Sequence, residues 1–160
     1  MLFLALILSV TILALAAQAL LRRGPADLPQ AMRLGLAAGL VFFGVDHLLT
    51  PERYLPMIES FLPWPGGIVL FTGLCEIAGA FGLLVPRLRW IAGLMLAVYF
   101  VAVLPANINN ALQAMEGLGV QGLPASPAYY WSRLVFQPVY IWWALAAGGV
   151  VRLPWPRKPA

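Results

Sequence analysis

One carboxylate, Glu76, stands inside an apolar run, LFTGLCEIAGAFGLLV (Leu70 to Val85). A charge near the centre of a bilayer costs roughly 2.5–3.5 kcal/mol even on lenient insertion scales, so such a residue marks a site or a partner. Buried there, it either carries a proton or is held ionised by a cation. Other polar residues recur where apolar sequence dominates. Asp46 and His47 close the preceding apolar run, and Asn107 and Asn110 stand three apart. Tyr129, Arg133 and Gln137 follow at steps of four with Tyr140 three further, which on one helix makes a polar stripe. Arg133 is the best-placed cation for Glu76, and His47 the second. Asn107, Gln137 and Tyr129 would satisfy the remaining donors and acceptors, because an unpaired buried polar group is costly. A set made of His47, Glu76, Asn107, Arg133, Gln137 and Tyr129 supports either a proton-active pocket or a network that fixes helix packing. With one His and one Cys in the chain there is no haem ligand pair, no zinc cage and no internal disulfide. The residues assign no cofactor and no reaction.

The elements that must position these residues follow from composition. Of 160 residues, 62% are hydrophobic and 10% charged, against about 25% charged in a soluble domain. The apolar residues fall in blocks that predict five spans, near 2–21, 31–49, 67–85, 90–111 and 129–151, each close to the roughly 17–25 residues a spanning helix needs. The expected fold is therefore an all-α membrane protein in a single domain over 1–160. Its partner is the lipid bilayer. Between the second and third spans, TPERYLPMIESFLPWPGG interleaves aromatic and charged residues and predicts a short interfacial helix over 51–65. The second span also carries GLAAG (Gly35 to Gly39), a small-xxx-small face suited to close helix approach.

Charge placement sets an orientation. If all five runs span, Arg22, Arg23, Arg33, Arg87, Arg89, Arg152, Arg157 and Lys158 share one side, and Arg53 and Arg133 the other. Lys/Arg bias of this kind marks the cytoplasmic face, so the N-terminus is expected outside and the C-terminus in the cytoplasm. The same placement argues against a nucleic-acid partner for the net charge of +4. LAAQA resembles a signal-peptide cleavage site, but Arg22 and Arg23 follow the first run instead of preceding it, opposite to a signal peptide. In this topology His47, Asn107, Arg133 and Glu76 all fall in the outer half of the membrane.

Three segments together, GVDHLLTPERYLPM with LPWP, GLCEIAGAFGLLVPRLRWIAG, and PANINNA, resemble the DoxX-like family of small bacterial membrane proteins. The positions that carry the resemblance include Gly44, His47, Pro51, Tyr54, Gly73, Glu76, Gly79, Gly82, Pro86, Pro105 and Asn107. The resemblance implies a four-helix membrane bundle, to which the first span is an addition, in a bacterial inner (plasma) membrane. It implies an accessory subunit of a membrane redox or quinone-linked system, with another redox subunit or a quinone as partner. The alternative, read from the residues, is a small-molecule-binding membrane enzyme or transporter with Glu76 as its proton-active group.

Overall fold

An apolar segment can satisfy all its backbone donors and acceptors internally only as a helix. In the computed structural model, which describes residues 2–21, 26–117 and 126–153, no strand is found among the described residues. The helices are α1 (Leu2–Leu21), α2 (Leu28–Leu49), α3 (Pro65–Leu84), α4 (Arg89–Ala102), α5 (Leu104–Met115), α6 (Pro127–Val135) and α7 (Gln137–Gly148). Four helical stretches are long and apolar enough to cross a membrane: α1, α2, α3, and α4 continued by α5. Arg22, Arg23, Arg157 and Lys158 of the charge count lie outside the described residues.

Proline sets most of the differences from the expected boundaries. Asp27 caps α2, its carboxylate accepting from the Gln30 amide at 2.8 Å. Pro29 then falls in the first turn, where its missing N–H costs nothing, so α2 begins at Leu28 and not near residue 31. The expected fourth span is interrupted at Val103, because Pro105 has no N–H to give the Val101 carbonyl and its ring crowds that carbonyl. The expected fifth span is interrupted at Phe136, beside Pro138, for the same reason. Neither α6 nor α7 alone reaches spanning length. The expected interfacial helix over 51–65 is instead two 3-10 turns, Pro51–Arg53 and Leu55–Met57, since Pro51 and Pro56 allow only short helical pieces.

Glycines set the helix contacts. Gly44 of α2 and Gly73 of α3 lie so close that a side-chain carbon on either would meet the other's carbonyl oxygen at 2.8 Å. Gly93 of α4 and Gly148 of α7 are as tight, each blocked at 2.7 Å by the other's α-carbon. Gly79 and Gly82 of α3 receive Leu96 and Ala92 of α4. The ring α2–α3–α4–α7 is closed where the Trp143 indole donates to the Met32 carbonyl at 3.1 Å. The GLAAG face packs on α1, with Gly35 against Thr11 and Gly39 against Phe3 and Ile7. Phe3 of α1 sets its ring edge-on to Phe43, Phe100 and Tyr140. The core of this bundle is Met32, Leu36, Leu40, Leu83, Leu96, Phe100 and Trp143 with alanines between. A second core, Met57, Ile58, Val69, Ala111, Ala114 and Tyr130, lies under the 3-10 turns. The outward surface is itself apolar, with Leu13, Phe71, Phe81 and Val101 more than half exposed.

Candidate functional site

Two short patterns on antiparallel helices build the site. α2 carries Gly44 and, three residues on, His47; α3 carries Gly73 and, three residues on, Glu76. A step of three keeps both members of each pattern on one helix face. Across the contact, Gly44 opposes the Glu76 Cβ and Gly73 opposes the His47 Cβ. Each glycine thus makes room for the other helix's polar side chain. The result is a buried contact, His47 Nδ1 to Glu76 Oε2, at 3.2 Å.

The same His47 Nδ1 lies 2.7 Å from the Phe43 carbonyl oxygen, one turn back on its own helix. A carbonyl only accepts, so Nδ1 must carry the hydrogen. That N–H donates to the Phe43 carbonyl while the Glu76 carboxylate lies 3.2 Å from the same nitrogen, and the neutral ring keeps its lone pair on Nε2. Among the described residues Nε2 has no hydrogen-bond partner, and the His47 side chain retains 13% exposure. Tyr99 of α4 is the neighbouring hydroxyl on the Glu76 side, and Glu76 Oε2 has no hydrogen-bond partner among the described residues, its 3.2 Å approach to His47 being a charge contact. An imidazole nitrogen with a free lone pair, on a ring whose other nitrogen faces a carboxylate, is a group that can accept a proton and return it.

A cover lies over the imidazole. Tyr54, between the two 3-10 turns, stacks on His47 with ring centroids 3.8 Å apart and planes 16° apart. Its hydroxyl donates to Asp46 Oδ2. Arg53 Nη1 donates to both Asp46 oxygens, at 3.0 and 2.8 Å, and the Thr50 hydroxyl donates to Oδ1 at 2.9 Å. Burial, and then the hydrogen bond to Asp46, push the Tyr54 phenol above its ordinary range. Farther along, the Asn109 amide donates to the Met57 carbonyl at 2.8 Å and the Gln113 amide to the Pro56 carbonyl at 2.9 Å. The cover is thereby tied to α2 at one end and to α5 at the other.

The six residues expected at the site are dispersed. His47 and Glu76 meet. Arg133, expected as the first partner of Glu76, forms no ion pair among the described residues; the carboxylate is taken by His47 instead. The physical reason is the interruption at Phe136, which places Arg133 on α6 and ends the register on which one continuous stripe depended. Gln137 heads α7 and donates through Nε2 to the Phe100 carbonyl at 2.5 Å, joining the two proline-interrupted helices. Tyr129 sets its ring edge-on to Tyr130, and its carbonyl accepts from the Ser132 hydroxyl. Asn107 is half-buried on α5, while Asn110 is fully buried with its amide atoms unpaired among the described residues. Sequence reasoning missed Tyr99, whose only signal is a hydroxyl in an apolar run. Asp46, which closes the second apolar run beside His47, is the anchor of the cover. No group of three His, Cys, Asp or Glu side chains that could hold a metal ion is found among the described residues.

A family model described as "Domain of unknown function (DUF8561)" matches residues 36–148, most of the chain and all of the site. The chain belongs to this family. The expected membership of the DoxX-like family is thereby corrected: the matching family is a different one. Segments rich in Gly, Pro and Asn between apolar runs are what any small bundle needs for close helix contacts and sharp turns, so they do not separate one such family from another. No curated protein and no solved structure matches the chain.

Proposed function

We propose that this DUF8561 member is a multi-pass membrane protein that binds a small molecule near its outer face and exchanges a proton with it through His47 Nε2. The observation that carries this reading is the 2.7 Å approach of His47 Nδ1 to the Phe43 carbonyl oxygen, with Glu76 beside it: with Nδ1 committed there, Nε2 is left to act. Glu76 then acts as the positioning and charge-balancing group. Membrane embedding is supported by the apolar outward surface, far beyond what water tolerates on a monomer. In this reading α6 and α7 together make a fifth crossing, the N-terminus is outside and the C-terminus is cytoplasmic, with Arg33, Arg87, Arg89 and Arg152 on the inner side. The expectation of a redox or quinone-linked accessory subunit came from the DoxX-like resemblance and loses that support.

Proton uptake tests the reading. His is the side chain whose ordinary range falls between about pH 5 and 8, and the chain has one. Purified protein in detergent, titrated with a pH-indicator dye, is expected to bind about one proton more over that interval than the folded His47→Gln variant. Equal uptake by the two proteins would overturn the proposal. Nitrogen-15 spectra of the single histidine supply the second readout, with the hydrogen on Nδ1 in the neutral ring expected and a hydrogen on Nε2 refuting it.

A further inference from the structure

At the opposite end of the bundle two arginines converge without a carboxylate between them. Arg33 of α2 donates through Nη1 to the Ala147 carbonyl at 3.4 Å. Arg89, the first residue of α4, donates through Nε to the Leu83 carbonyl at 3.3 Å and through Nη2 to the Leu84 carbonyl at 3.5 Å. The Arg89 backbone also abuts Gly148, so both arginines stand at the last turn of α7, Arg33 by its side chain and Arg89 by its carbonyl. Carbonyls at helix C-termini carry partial negative charge and explain why guanidinium groups gather here. They do not explain why two of them gather at one place: Arg33 reaches Ala147 and Arg89 abuts the next residue, Gly148, so two like charges share one helix end. Neither arginine has an ion pair among the described residues.

The donors point to an anion. A guanidinium has five N–H groups in a fixed fork, and the hydrogen bonds that engage these two are long and use few of them. Phosphate oxygens match that fork, and one phosphate between the groups would offset their repulsion. The surroundings choose the phosphate's source. Beside Arg89 stand Leu88, Trp90 and Ile91, each about half exposed. They present an apolar flank for acyl chains directly beside the cationic pair. We propose that Arg33 and Arg89 form a binding site for the phosphate of an anionic phospholipid. The site rests on the membrane reading but is independent of the proton chemistry at His47.

The probes are phosphatidylglycerol, phosphatidylcholine and inorganic phosphate, added to the full chain in a neutral detergent, with bound lipid measured by native mass spectrometry and thermal stability alongside. Phosphatidylglycerol is expected to bind at least about tenfold more tightly than phosphatidylcholine and to raise the melting temperature. A basic residue near an anionic surface contributes about a factor of five. Arg33→Gln and Arg89→Gln should therefore each weaken phosphatidylglycerol binding about fivefold, and the double variant about 25-fold. The single variants carry the test if the double variant does not fold. Exposed Arg87→Gln is the control, expected to change binding less than about twofold. Equal affinity for the two lipids would overturn the site. So would a loss in Arg87→Gln as large as in Arg33→Gln, which would mean a diffuse surface potential. Inorganic phosphate giving the same thermal shift at equal concentration would refute the lipid as occupant.

Discussion

At the scale of single residues, the proposed proton exchange turns on which nitrogen of one imidazole is free. Glu76 and Phe43 both face Nδ1, which leaves Nε2 as the atom to which the proposal assigns the proton. The carboxylate's part is separable from its charge. Glu76→Gln keeps a polar group facing the polar edge of His47, whereas Glu76→Leu sets an apolar side chain against it. The expected stability cost is therefore small for Gln and about 1–3 kcal/mol for Leu, checked by thermal unfolding in detergent. Should Gln destabilise as much as Leu, the pair would be held by charge and not by geometry. Tyr54 supplies the pH dependence. Its phenol is raised by burial and by Asp46, so the folded state binds this proton more tightly than the unfolded state. Its contribution is complete below the ordinary tyrosine value of about 10 and falls away as pH rises beyond it toward the raised folded value. The stability difference between the wild type and Tyr54→Phe should be flat below about pH 10 and shrink above it. A difference that instead grows with alkalinity would contradict the assignment.

Among the elements, close approach decides what can meet. The Gly44–Gly73 contact brings His47 to Glu76, and the Gly93–Gly148 contact binds α7 to α4. Gly93→Ala would drive a methyl into the Gly148 α-carbon at 2.7 Å and the Ala144 carbonyl at 2.8 Å. Both obstacles are backbone and cannot rotate away. A loss of about 1–3 kcal/mol is expected. Gly66→Ala is the counterpart, since open space surrounds that position and the smaller unfolded-state entropy should stabilise by about 0.4–1 kcal/mol. Chemical or thermal unfolding of the two variants checks both signs. The proline interruptions work the other way, separating residues that sequence spacing joined. Arg133 and Gln137 are four apart, yet they stand on different helices and serve different partners.

For the whole molecule, orientation is the property to test. With Cys75 replaced by alanine, single cysteines at Glu59→Cys and Arg87→Cys probe the segments before and after α3; both positions are exposed. A membrane-impermeant maleimide should label the first in intact cells and the second only after permeabilisation. Labelling of both, or of Arg87→Cys alone, would refute the orientation with the N-terminus outside. The sequence by itself determined the helical class and the approximate place of each apolar helix, because hydrophobic blocks and prolines act locally. It also singled out His47 and Glu76, because polar groups are rare and costly in apolar runs. Only the tertiary structure decided that these two are partners, that Tyr99 and Tyr54 join them, and that Arg133 does not. Those outcomes depend on how nearly two backbones approach and on where a proline ends a helical register. Both are distances between segments far apart in the chain, and residue spacing does not encode them.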